Sequence, residues 1–214
     1  MAHNKEWYYA CMRTAPWDSF FKAKMAKIFT EKKVIVDIGG GLRVDAQRNN
    51  RGNQNPWLKS YVDKVDYKIL DKVPDYHPDI VGDVHDLPLK DASVDAVICI
   101  ALLEHVEEPH RAMKEIYRVL KPGGYLFVYV PFLYYYHPMP GYYGDFYRFT
   151  YDGLKYLTRD FKEVEIQNVR GAFETVMNLF PFFSKRSSMF NFLDRLFLKE
   201  KSKQTSGYNV FCVK

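Results

Sequence analysis

The chain has 214 residues, 47% of them apolar, with 31 basic side chains against 26 acidic ones. That length suits one globular domain, the composition is too apolar for a disordered chain, and no run reaches the roughly 18 uninterrupted apolar residues of a membrane span. The first 20 residues lack the basic start and apolar centre of a signal peptide, and Cys11, Cys99 and Cys212 are too few and scattered for a disulfide framework, so a reducing, cytoplasmic setting is expected.

Residues 18–30, with Phe20, Phe21, Met25 and Ile28, have the spacing of an amphipathic helix. Val34 to Ile38 is a short β-branched run of the kind buried on both faces of a parallel sheet. A glycine triplet follows it, and the polar stretch Arg48 to Pro56 reads as a loop. Further strands are expected at Tyr67–Leu70, Asp79–Val81, Val94–Ile100 and Tyr125–Val130. Between the last two, Pro109 opens a helix whose face is Ala112, Met113, Ile116, Val119 and Leu120. Lys121-Pro122-Gly123-Gly124 stops it. Two closing strands are expected at Glu163–Val169 and Tyr208–Val213. Strands alternating with helices define an α/β sheet.

The chemistry-bearing residues fall where these strands end. Gly39, Gly40 and Gly41 follow Asp37-Ile38 and would let backbone approach a ligand, although such a turn also serves plain packing. Arg43 stands where the dinucleotide fingerprint wants another glycine. It suits either a ligand carboxylate or open solvent. Asp71 closes the second strand, placed to accept both hydroxyls of a ribose. Asp83 follows the third, placed to accept from an exocyclic amine. Each carboxylate taken singly is an ordinary turn residue; their succession at strand ends is what points to a nucleoside.

The series Val36-Asp37-Ile38-Gly39-Gly40-Gly41, Asp83…Leu87-Pro88, Leu103-Glu104-His105-Val106 and Arg118 to Gly124 resembles the class I S-adenosylmethionine-dependent methyltransferases, specifically the small type 11 domain, over residues 34–131. The resemblance implies a Rossmann-like methyltransferase fold: a doubly wound, mostly parallel seven-stranded sheet, helices on both faces, the last strand antiparallel. It implies S-adenosylmethionine as cofactor. Gly39 and Gly41 would then face its methionine part, Asp37 its amine through water, Asp71 the ribose, Asp83 and Val84 the adenine, and Ala101 and Leu102 the sulfonium end. The whole chain, 1–214, is taken as one domain. It would comprise a helical lid (1–30), a cofactor core (31–131), a rim insertion (132–160) and C-terminal strands carrying an amphipathic helical insertion (161–214).

The rim insertion is where an acceptor should be met. Residues 125–151 hold 13 of the 36 aromatic rings, and Pro131 to Thr150 gathers His137, Asp145, Tyr147 and Arg148 among them. His137 is a candidate general base because imidazole titrates near neutral pH. Asp145 would orient it or share the task, and Tyr147 and Arg148 would bind substrate. The competing reading pairs Asp145 with Arg148 structurally. His105 either touches substrate or packs under the glycine turn. The string His-Pro…Asp-Phe-Tyr-Arg-Phe-Thr resembles a subgroup associated with cell-surface polysaccharides, which implies a sugar or glycan hydroxyl as acceptor. No metal is expected, since His77, His85, His105, His110 and His137 show no HExxH or paired-cysteine spacing.

Residues 184–203 carry six basic and two acidic groups, leaving the remainder nearly neutral. Nucleic acid is therefore not an expected partner. Met189, Phe190, Leu193, Leu196 and Phe197 form an apolar stripe there. It fits a helix on an anionic membrane face, a lid or a homodimer contact, while packing on its own domain is the commoner fate. The alternatives to glycan O-methylation are a nucleic-acid or protein methyltransferase and a non-catalytic cofactor-binding domain.

Overall fold

A computed structural model describes residues 16–44 and 54–214. Seven strands form one sheet: β1 Val34–Ile38, β2 Asp66–Asp71, β3 Ile80–Val81, β4 Val94–Ile100, β5 Leu120–Pro131, β6 Glu163–Asn168 and β7 Gly207–Val213. Their order is β3-β2-β1-β4-β5-β7-β6. The first five pair in parallel, and β7 runs antiparallel to both β5 and β6. This is the expected doubly wound sheet.

Period-two alternation splits the core into two layers. Val36, Ile38, Val97, Cys99, Leu126 and Val128 face one way, against helix α3 (Pro109–Val119) and α4 (Tyr151–Leu157). Ile35, Ala96, Ile98 and Phe127 face the other, against α1 (Pro16–Glu31) and the short α2 (Lys59–Val62). Helix α3 buries Ala112, Met113, Ile116 and Val119 on one stripe, with Pro109 at its start. Full burial of a branched side chain such as Ile116 contributes roughly 1.5–3 kcal/mol. Helix α1, expected as part of a lid, is instead a core layer, with Met25 and Ile28 fully buried. Residues 1–15 of that expected lid, and most of the polar loop beginning at Arg48, lie outside the described residues.

Two sequence boundaries shift. Strand β5 begins directly after α3, because Leu120 already pairs with Val94; the register then jumps so that Tyr125 pairs with Ala96. Lys121-Pro122-Gly123-Gly124 is thus an irregularity inside the strand as well as a helix stop, with Gly123 at φ +73°. In the tail, the anticipated single helix is broken into a 3-10 stretch, Ser184–Phe190, and α6, Asn191–Leu196, preceded by α5, Ala172–Leu179. Fully buried Asp194 of α6 accepts from Phe173 N and Glu174 N and so caps α5. The apolar stripe is only partly covered, with Phe190 and Leu193 half-buried. Met189, Leu196 and Phe197 are more than half exposed, alongside Phe182 and Leu198.

Candidate active site

Strand register assembles the site. Ile38 is level with Leu70 on one side and Cys99 on the other, and Asp71 is level with Val81. The residues that follow these ends, Gly39, Lys72, Gly82-Asp83 and Ala101, therefore meet on one rim. In open parallel sheets ligands bind at the carboxyl ends, where strand order reverses; here that point lies between β1 and β4. A hollow of about 570 Å³ opens there, its volume including solvent at the mouth. Gly39, Asp71, Asp83, Val84, Ala101, Leu102 and His105 line it, all anticipated from the sequence.

The glycine turn is built for close approach. Gly39 and Gly40 take φ of +82° and +59°, and a Cβ on Gly39 would come within 2.6 Å of Leu102 Cδ1. Gly41 is required for a different reason: a Cβ there would meet the Ile100 carbonyl oxygen at 2.5 Å, so it seats the turn on the end of β4. It does not line the hollow. Asp37 also departs from expectation. Rather than facing a cofactor amine, it is fully buried and accepts from Gly41 N, Leu42 N and Tyr67 Oη. The reason is strand parity, which places residue 37 with Ile35 on the α1 face. Arg43 has φ +51° and stands outside the hollow, so a non-glycine residue holds a conformation that usually favours glycine.

Asp71 accepts from Val73 N at 3.0 Å through Oδ1. Burial pulls the Asp83 carboxyl upward, but the His85 amide and imidazole, at 2.8 and 2.7 Å, outweigh it and hold the group below its ordinary range. An acidic rim, a bare backbone turn with no room for side chains, and apolar Val84 and Leu70 beside them fit a nucleoside carrying an amino-acid tail. They fit S-adenosylmethionine in particular because the hollow continues past Ala101, itself at φ +51°, to Leu102 and His105, where a sulfonium would lie.

Beyond that end the rim insertion folds back over the sheet. His105 and His137 meet edge to face, ring centroids 4.9 Å apart, and Tyr143 packs on His105 at 4.5 Å. Asp145, its side chain fully buried, receives both guanidinium nitrogens of Arg148 and the His137 amide. Arg148 holds this carboxyl down to about 2, with burial opposing. Asp145 thus pairs with Arg148 and also lies 3.3 Å from His137 Nδ1 through Oδ2. Tyr147 is turned away: its hydroxyl donates to the Glu107 carbonyl at 2.8 Å, and it is not part of the hollow's wall.

Glu104 was not singled out from the sequence as a site residue. It is fully buried, and its Oε1 lies 3.8 Å from His137 Nε2 and 3.9 Å from His105 Nε2. Glu104 is the main cause of a raised His137 pKa; burial works against it, and the Tyr135 carbonyl and Asp145 add to it. The available signal was a carboxylate inside the otherwise apolar Ala101-Leu102-Leu103-Glu104-His105-Val106. Lys72 and Tyr143 of the wall carried no such signal.

The fold is the Rossmann-like one of S-adenosylmethionine-dependent methyltransferases, and S-adenosylmethionine is the cofactor such domains take. Residues 23–128 match the family described as methyltransferase domain. A probable S-adenosylmethionine-dependent methyltransferase of Mycolicibacterium smegmatis is 42% identical over 50 residues, 23% of this chain and 20% of that protein. The matches to the first curated relatives span 13 to 25% of those proteins' lengths. Among solved structures, an S-adenosylmethionine-dependent methyltransferase from Archaeoglobus fulgidus aligns with TM-score 0.58 at 15% identity, over 92% of this chain and 94% of that one. Phosphoethanolamine N-methyltransferase 2 of Haemonchus contortus, in complex with phosphomonomethylethanolamine and S-adenosylhomocysteine, aligns with TM-score 0.53 at 15% identity, over 94% of this chain and 54% of that one. These structural likenesses concern the fold.

Proposed function

We propose that this protein O-methylates a hydroxyl of a sugar, glycan or other small acceptor, using S-adenosylmethionine. The observation carrying the reading is the pair of imidazoles, His105 and His137, gathered beside Glu104 beyond the Ala101–Leu102 end of the hollow. When bound, the cofactor supplies an electrophilic methyl group on a sulfonium. Asp71 would hold the ribose hydroxyls, Asp83 and Val84 the adenine, and the Gly39 backbone the amino-acid part. The histidine–carboxylate cluster faces the acceptor side. A hydroxyl, unlike an amine, must give up a proton as its oxygen is alkylated, and a group for that task belongs there. Asp145 acts through His137, which it holds in place. Tyr134, Tyr136 and Tyr142 are exposed on the same insertion and offer apolar faces to the C–H side of a sugar ring.

With radiolabelled methyl donor and panels of glycans, nucleotide sugars, tRNA and peptides, label is expected in a glycan or sugar fraction. His137→Ala should reduce that turnover by about 100-fold or more, the usual contribution of a positioned acid–base group, while S-adenosylhomocysteine affinity changes less than about twofold. Label appearing in tRNA or peptide alone would replace this acceptor class by another.

The exposed tail supports a membrane-associated acceptor. No helix among the described residues is long and apolar enough to cross a membrane. The Met189, Leu196, Phe197 and Leu198 side chains stand out with Arg186, Lys199, Lys201 and Lys203 exposed around them, a combination suited to an anionic lipid surface. The protein should sediment with vesicles containing phosphatidylglycerol and not with pure phosphatidylcholine, and Leu196→Glu/Phe197→Glu should release it. Equal recovery with both vesicles would remove the membrane from the reading.

A further inference from the structure

We infer that Glu104, His105 and His137 form a binding site for one divalent cation of the first transition row, zinc-like in its ligand preference. Among the described residues, one donor atom from each of the three lies within 4.8 Å of the others. Ligands held at about 2.0–2.2 Å from such an ion sit roughly 3–4 Å apart, so the side chains need move only by fractions of an ångström.

Hydrogen bonding at the far side of each ring sets the tautomer. His105 Nδ1 lies 2.6 Å from the Gly144 carbonyl, and His137 Nδ1 lies 2.8 Å from the Tyr135 carbonyl. A carbonyl oxygen only accepts, so each Nδ1 carries the proton. In the neutral ring each Nε2 then presents a lone pair, and both Nε2 atoms point at the same carboxylate. Metal-bound histidines are ordinarily braced in this way, with the second nitrogen donating to a carbonyl or carboxylate.

The independent observation is Glu104 itself. It is 0% exposed, and neither Oε1 nor Oε2 has a hydrogen-bond partner. A buried carboxylate without donors is costly and rare. At 3.8 and 3.9 Å the two imidazoles are too far for hydrogen bonds. Arg148 does not hydrogen-bond it, because its guanidinium is engaged by Asp145 and by the Tyr135 and Tyr147 carbonyls, although its charge is felt there. A cation between the three residues satisfies both oxygens' charge and both lone pairs at once. Two nitrogens and one oxygen favour a zinc, cobalt, nickel or iron(II) ion over magnesium or calcium. Three protein ligands also leave coordination positions open for an outside oxygen, the arrangement found in catalytic rather than structural sites.

The role of the site toward the acceptor rests on the O-methylation reading: the ion would bind the acceptor hydroxyl and lower its pKa, its proton leaving to solvent water, so that with the ion bound His137 serves as a ligand in place of a base. Its existence does not rest on that reading. Tag-free protein, stripped with chelator and given cobalt(II) without cofactor or acceptor, should bind one equivalent, with the visible absorption of a low-symmetry nitrogen–oxygen site. Glu104→Gln and His137→Ala should each weaken cobalt binding by about 100-fold or more, at or beyond the upper end of what loss of an outer support costs. Far-ultraviolet circular dichroism checks the fold of both variants, and half-exposed His137 provides the test if Glu104→Gln does not fold. Binding of cobalt that is unchanged in folded His137→Ala, or no stoichiometric binding by the native chain, overturns the site. Cobalt binding without any methyl transfer would uphold the site while removing the acceptor reading.

Discussion

Asp71→Ala is expected to weaken S-adenosylhomocysteine binding by roughly 100- to 10,000-fold while shifting the thermal midpoint by only a few degrees. A carboxylate accepting from two ribose hydroxyls makes two charge-assisted hydrogen bonds, each worth about 1.5–3 kcal/mol, and each factor of ten in affinity corresponds to about 1.4 kcal/mol. Within the fold, Asp71 Oδ1 accepts from the Val73 amide at 3.0 Å. That amide sits at the start of a loop, and its loss should cost about 1 kcal/mol, or about 2–4 °C in a chain of this size. Isothermal titration calorimetry beside differential scanning calorimetry separates the two effects. Wild-type affinity in the variant would mean that the ribose lies elsewhere.

The companion substitution, Asp37→Ala, should have the opposite signature. Its carboxylate is fully buried and receives the Gly41 and Leu42 amides at 3.2 and 3.1 Å and the Tyr67 hydroxyl at 2.7 Å. Removing it strands buried donors at about 1–3 kcal/mol each. A total of about 3–5 kcal/mol is expected, or a fall of roughly 6–20 °C in midpoint, with cofactor binding lost as the glycine turn loosens. Tyr67→Phe, which removes one donor together with its need for the acceptor, should be much milder. A midpoint within about 3 °C of wild type for Asp37→Ala would show that Gly39-Gly40-Gly41 holds its shape unaided.

The contrast between these two aspartates shows where sequence reading reached its limit. Both follow the same pattern, a carboxylate near the end of a parallel strand, and both were assigned to the cofactor. Position along the strand separates them, because Asp71 has the parity of Tyr67 and Ile69 and hence shares the side of Asp37. Residue 37 shares its face with Ile35 and Tyr67, whereas Asp71 is the last residue of its strand and turns into the hollow. Period-two alternation gives both the same face, so the distinction needed the strand ends, which the register sets. Tyr147 is a similar case: an aromatic residue in the right insertion, directed outward because its hydroxyl finds the Glu107 carbonyl.

Local chemistry alone was enough for most of the architecture. β-branched runs bounded by glycine and aspartate located the strands, and a three–four apolar stripe between Pro109 and the Lys-Pro-Gly-Gly stop located α3. Gly39 lay where only a residue without Cβ fits. These features depend on neighbours a few residues away, so one sequence reveals them. What the tertiary structure decided is the meeting of Glu104 and His105 with His137, 33 positions beyond Glu104, across the turn after β4 and the insertion after β5. It also decided that Met189, Leu196, Phe197 and Leu198 stay exposed while Asp194 of the same segment is buried as the cap of α5. Contacts of that kind are set by how distant segments pack, a three-dimensional closure that no spacing along the chain encodes.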